Sequence, residues 1–382
     1  MRRSQHIVIG GRRIMPIVGW VVLGVSCVVL FGVVAITTLT TVSYSNGDIA
    51  GEIIAIITPP TLDTHAYDLK MLALAQVSTT TLASLVVATT TGNTTLSTFT
   101  DASLASSTID GWPVRAVYPK YGALLPENRI VAYYGNFYST RMGILGEFSE
   151  DVVLERLREQ VAEWNAADPT TPVVPAINYI ALTAQGSAGK EGKYMLRMPD
   201  EQIDKAVAMA AKIDGIVILD IQVGLSTLEY ELPLLETYLK MPQVHLAIDP
   251  EFSMHNGSVP GTVVGSYDAD DINYAARYLA NLVTTYNLPP KVLIVHRFTQ
   301  NMVKNYQDIK PLPEVQIVMD MDGWGEPAKK FNTYKRVIEP EPVQFTGFKV
   351  FYGNDLKPPS TRLVTPEEML EFMPIPSFIQ YQ

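Results

Sequence analysis

The sequence predicts an α/β chain whose main body is a (β/α)8 barrel. Three observations predict it. Apolar strand-like segments alternate with helical patterns at regular spacing from about Ile130 onward, the mark of consecutive βαβ units. Several of these segments end in polar or ionisable residues, which is where a parallel barrel builds its working face. The turn after the first strand reads Gly135-Asn136-Phe137-Tyr138 and contains no GxGxxG, which disfavours the rival, a doubly wound open sheet with a phosphate turn.

The elements follow in order. Ile130–Tyr134 is the first strand. Glu150–Ala167 carries Val153, Leu154, Leu157, Val161 and Trp164 at helical spacing behind Ser149, a capping residue type. Strand Val174–Ala181 precedes helix Pro199–Ile213, and strand Ile216–Ile221 precedes helix Thr227–Leu239. Strand Val244–Ile248 leads to helix Asp268–Tyr286, whose acidic first turn suits the helix dipole. Strand Val292–Val295, a shorter helix Gln300–Tyr306, strand Val315–Met321 and a weaker helix Ala328–Val337 come next. Strand Phe345–Tyr352, helix Pro366–Phe372 and strand Phe378–Tyr381 complete eight strands and seven helices. The span is close to the roughly 250 residues such a barrel occupies. Its short last strand must close against the first.

The N-terminus points to a membrane. Ile14 to Ile36 is an uncharged, largely apolar run preceded by Arg2, Arg3, Arg12 and Arg13, and no Lys or Arg follows until Lys70. About 20 apolar residues cross a bilayer, and the charge asymmetry places the N-terminus in the cytoplasm and the rest outside. The run exceeds the ~7–15 apolar residues of a cleaved signal peptide, which favours an uncleaved signal anchor. Cys27, the one cysteine, excludes an intrachain disulfide and a cysteine-based zinc site; within this run it reads as a buried thiol. Residues 1–13 are then a basic cytoplasmic tail, 14–36 the anchor, 37–111 a Thr/Ser-rich linker, and 112–382 the barrel. The linker contains one short helical pattern, Tyr67 to Ala75, free to dock on the membrane or on the barrel. A net charge of −10 disfavours nucleic acid as a partner, and nothing in the sequence calls for a cofactor.

Candidate chemistry lies at the strand ends. Side chains two apart in a strand share a face, so Asp220 with Gln222, Asp249 with Glu251, and Asp320 with Asp322 form three acidic ends converging on one mouth. Repulsion and burial raise some carboxyl pKa values while others stay ionised, the arrangement glycoside hydrolysis needs. Glu251 is the expected general acid, with Asp249 or Asp320 as base, nucleophile or stabiliser and Asp220 beside them. His296 is a proton shuttle, substrate partner, metal ligand or carboxylate-bonded core residue. Lys349, on an apolar strand, needs a partner such as Asp320 if it faces inward. Arg297, Gln222 and Asp322 complete the polar set, and Tyr133, Tyr134, Phe137, Tyr138, Phe252, Trp324 and Tyr352 gather at the same ends as candidate platforms for sugar rings. For each acid alone, a cap at a strand end is the ordinary explanation; the recurrence on three strands favours a site. Asp320, Asp322, Asp249 and His296 would also suit a hard cation, although no HExxH spacing supports zinc hydrolysis. A carbohydrate-binding or scaffold barrel without a competent acid pair is the non-enzymatic alternative.

The segments Leu219-Asp220-Ile221-Gln222-Val223-Gly224, His245 to Phe252, Pro289 to His296 and Met319 to Gly325 resemble a family of uncharacterised bacterial exported proteins and lipoproteins with a barrel-like domain. The likeness covers about Arg129 to Gln382 and implies export and a barrel, not a reaction. Ile248-Asp249-Pro250-Glu251 is similar to the D-x-E strand-four motif of lysozyme-type barrel glycosidases.

Overall fold

The computed structural model describes residues 60–77 and 111–382. The Ile14–Ile36 run and most of the Thr/Ser-rich segment lie outside the described residues. Among the described residues, no helix is long and apolar enough to cross a membrane.

Eight parallel strands close into a ring. They are β1 (Arg129–Gly135), β2 (Val173–Ala184), β3 (Ile216–Ile221), β4 (Val244–Ile248), β5 (Lys291–Arg297), β6 (Val315–Met321), β7 (Phe345–Val350) and β8 (Phe378–Tyr381). Each pairs with its neighbours in sequence, and β8 pairs with β1 through Ile130↔Phe378 to Tyr133↔Tyr381. That closure removes the open-sheet alternative. One irregularity is a short antiparallel strand, Met195–Arg197, that extends β2 on its far side.

The helices lie outside the ring. They include α2 (Glu150–Ala167), α3 (Asp200–Ala211), α4 (Ala269–Tyr286) and α5 (Pro327–Thr333), numbered after an N-terminal α1 (Thr64–Leu74). The α2 boundaries match the apolar spacing, but Ser149 makes no side-chain capping bond. Asp268 does cap α4, in a reciprocal box with Asp271. Two expected helices are broken. Leu228–Leu239 is two single turns around a 3-10 turn that begins Leu232-Pro233, where proline removes a backbone donor. Gln300 to Asp308 is two 3-10 turns separated by Val303–Lys304, which pairs with Tyr267–Asp268.

The period of two along each strand sorts side chains into two cores. Outward residues such as Val131, Leu219, Leu246, Leu293 and Ile317 meet the helices, with Leu157 and Trp164 of α2 fully buried among them. Inward residues Ile130, Ala132, Ala176, Ile216, Ile218, Ala247, Val292, Ile294, Val318, Phe345 and Phe378 fill the ring. The base of this inner core is sealed by α1, whose Tyr67 and Met71 pack into it. Leu72, Ala75 and Val77 pack on Trp112, and the Leu74 carbonyl accepts from Ile375 N–H at 2.8 Å. The linker helix therefore belongs to the barrel. Above the apolar layers, the inward positions turn polar.

Candidate functional site

The polar layer is made by the same alternation that builds the core. Counting inward from Ala132, Ile218, Ile294, Val318 and Gly347, the next residues on the same face are Tyr134, Asp220, His296, Asp320 and Lys349. Asp249 and Glu251 follow the end of β4, Gln222 the end of β3, and Asp322 the end of β6. Below them, Gln380 Nε2 donates to Asn178 Oδ1 at 2.7 Å, both fully buried.

His296 is the centre. Its Nε2 lies 2.8 Å from Asp220 Oδ2 and its Nδ1 3.0 Å from Asp320 Oδ2, and all three side chains are fully buried. Asp322 Oδ2 is 3.6 Å from the same Nδ1. Burial alone would push the imidazolium down, but the charge and hydrogen bond of Asp220, aided by Asp320 and Asp322, carry its pKa well above the ordinary histidine range. Room for Asp320 exists because β7 has Gly347 beside it. A Cβ there would stand 2.6 Å from Asp320 Oδ1 and 2.9 Å from the Phe378 ring.

Lys349 supplies the second cation. Its Nζ is 3.2 Å from Asp322 Oδ1 and 3.9 Å from the centre of the Tyr134 ring. Its partner is thus Asp322, two residues beyond the expected Asp320. Gln222 Nε2 donates to Tyr134 Oη and to Asp249 Oδ2, each at 3.4 Å, and Asp249 Oδ1 accepts the Glu251 backbone N–H at 3.1 Å.

Five carboxyl groups (Asp220, Asp249, Glu251, Asp320, Asp322) thus share the mouth with two cations (His296, Lys349). Full ionisation would leave three uncompensated negative charges (five minus two) in a poorly solvated space, so some must stay protonated. Burial pushes the Asp249 carboxyl well above its usual range, against the pull of His296 and with help from Asp220 and Asp322. Burial raises Asp320 too, opposed by its bond to His296. Glu251 is only partly buried; loss of water and then the charge of Asp322 push its pKa up to about 7.

Three of the expected site residues face elsewhere. Arg297 is next to His296 in an uninterrupted strand, so it points out of the ring. There it is fully buried, paired with Glu341 and donating to the carbonyls of Thr299 and Gln300. Tyr133 points out for the same reason and donates to the Arg156 carbonyl of α2. Tyr352 lies past the end of β7, stacks on Tyr381 and bonds Gln160 and Tyr133. Of the two neighbouring tyrosines it is Tyr134 that faces the mouth, and alternation from the small inward Ala132 is the signal that separates them. Trp324 stands on the rim, half exposed, with Lys329 Nζ at 4.5 Å and Lys357 Nζ at 5.5 Å from its ring centre.

Among the described residues, no group of three or more His, Cys, Asp or Glu is placed to hold a metal ion. A cleft of about 250 Å³ lies at the opposite end, lined by Lys70 and Leu74 of α1 together with Arg129, Asp168 and Thr170. It holds the ion pair of Arg129 with Asp168 at 3.1 Å, and the titratable cluster at the mouth is the better candidate for chemistry.

No protein-family model matches the chain, and no curated protein is detectably similar to it. Several solved structures are similar in outline. Cellulase Cel5C_n aligns over 58% of this chain and 65% of its own at 15% identity, TM-score 0.33. A ruminal GH26 endo-β-1,4-mannanase aligns over 75% and 66% at 12% identity, TM-score 0.36. Bacillus subtilis mannanase man26 aligns over 70% and 88% at 10% identity, TM-score 0.37. The chain spans just under two thirds of the length of the first two. These proteins are glycoside hydrolases by name; likeness at this level carries nothing about the chemistry of this chain.

Proposed function

We propose that the chain is a glycosidase-like hydrolase whose general acid is Glu251 and whose second carboxylate is Asp322. The observation that carries the reading is the contrast between the two acids. Glu251 is partly exposed, has no cation bonded to it, and has a pKa pushed up to about 7, so it can hold a proton for a leaving oxygen near neutral pH. Asp322 has Lys349 at 3.2 Å to balance its charge and can face a developing oxocarbenium centre as an anion. Asp320 and Asp220 serve behind it, holding His296, which in turn lies 3.6 Å from Asp322. Asp249 positions Glu251 through the 3.1 Å bond to its backbone. This moves the second catalytic role from Asp249 or Asp320 to Asp322, the acid nearer solvent.

The reading places the barrel outside a membrane, tethered by the Ile14–Ile36 run; its support is the apolar length and the flanking arginines. Protease accessibility of the barrel in intact cells tests that topology.

The test of function is hydrolysis of a panel of polysaccharides by the full chain, with Glu251→Gln and Asp322→Asn as controls. Turnover lost in both variants supports the pair. Turnover that persists in both removes it. A second reading, a non-catalytic carbohydrate-binding barrel, draws on a different observation: Asp220, His296 and Asp320 are fully buried and the two carboxyls each bond the histidine, as in a structural cluster. Saccharide binding without turnover would favour it.

A further inference from the structure

We infer that the rim around Trp324 is a subsite for a carboxylate-bearing saccharide, so that the glycan served by this barrel is acidic. The inference rests on the reading of the mouth as a saccharide site and adds the class of sugar. Trp324 follows Asp322 by two residues, so its Cα lies within about 7 Å of that of Asp322. It presents about half of its surface to solvent, 49%. An exposed indole next to a polar cleft can meet the CH side of a pyranose ring with the part of its surface that the Lys329 and Lys357 ammonium groups, which stand over the ring, leave open.

The two nearest cations decide the charge of the ring. Lys329 and Lys357 bring ammonium groups to 4.5 and 5.5 Å from the indole centre, and among the described residues neither makes a salt bridge. Of the nearby acids, Asp322 pairs with Lys349, Glu326 makes no salt bridge among the described residues, and Asp355 is already consumed. It is fully buried, pairs with Lys330 at 2.9 Å, and accepts backbone N–H groups from Gly325 and Phe351 at 2.8 and 2.9 Å. Those bonds tie the loop after β6 to the loop after β7, so Trp324 and Lys357 are held together on a braced rim. In a chain of net charge −10, two neighbouring lysines that make no salt bridge among the described residues stand out against the average surface. An anionic sugar repelled elsewhere would find attraction there, beside the two carboxyl groups that would act on its glycosidic bond.

Calorimetric titration of the full chain with linear oligogalacturonides, neutral manno-oligosaccharides and polyglutamate tests this. The expected result is that the oligogalacturonide binds at least about tenfold tighter than the neutral sugar and than polyglutamate. Preference for it should disappear in K329Q/K357Q, and W324A should weaken binding to both sugars. Equal or tighter binding of the neutral sugar, equal binding of polyglutamate, no binding of either sugar, or a preference that survives K329Q/K357Q would each overturn the inference. The readout does not need turnover. Hydrolysis confined to neutral glycans would remove this subsite and leave the acid pair standing. Selective acidic-glycan binding without hydrolysis of any glycan would do the reverse.

Discussion

Asp220 Oδ2 lies 2.8 Å from His296 Nε2, and neither side chain has any exposed surface. With Asp320 on the opposite nitrogen, the imidazole links β3, β5 and β6 across the ring. His296→Ala would leave two buried carboxylates without their common cation, a change that costs about 3–5 kcal/mol. The expected outcome is a large fall in melting temperature.

Stability of the unmodified chain should fall from pH 5 to pH 8. His296 is raised above its ordinary 6.5, so its contribution is complete below that value and is lost as pH climbs through the folded-state pKa. Asp249 and Glu251 are raised from 3.8 and 4.5, the latter to about 7. Between those values the folded chain holds more protons than the unfolded one, which again makes stability decline with rising pH. Thermal melts at three pH values check this, and Asp249→Asn should flatten the slope.

Glu251→Gln should reduce turnover by roughly 10²–10⁴-fold, the usual worth of a general acid, while leaving the melting temperature near or above that of the parent. In the parent, turnover should be lost as pH rises through about 7, because the acid must be protonated to act. A profile with no alkaline limb in that region would remove Glu251 from the role.

Arg297→Ala separates a structural residue from a binding one. Removing one partner of its buried pair with Glu341 should cost about 3–5 kcal/mol. The melting temperature should drop, and saccharide affinity measured below that temperature should not change.

Helix α1 should be needed for a sound barrel. Met71 is buried in the inner core at the base, so Met71→Ala should destabilise the chain by about 2–5 kcal/mol. A fragment beginning at Trp112 should melt lower still, or bind an apolar-surface dye, because the inner core would lose its cover.

Much of this arrangement was legible in the amino-acid order, for a physical reason. Burial on both faces makes parallel strands into apolar runs, and the change from Ile218 to Asp220 or from Ile294 to His296 is visible without coordinates. The acids converge because alternation and closure leave them no other place. What escaped was which of two neighbours faces in. Arg297 and Tyr133 follow or precede inward residues by one position, and chemical type alone pulled them into the site. Pairing across the ring was equally hidden: that Lys349 meets Asp322 rather than Asp320 depends on how far each side chain reaches, which periodicity does not encode. The docking of α1 is not encoded locally, because its short apolar pattern suits either a lipid surface or a protein one.

The bare backbone at Gly347 has an influence out of proportion to its chemistry. Any larger residue would evict the Asp320 carboxyl from the berth at its side, at roughly 1–3 kcal/mol of crowding. The histidine ring would then lose one of its two tethers and swing, and the proton inventory of the entire acidic chamber would have to be redrawn. The electrostatic state of a group on β5 is in this sense written by an empty position two strands away.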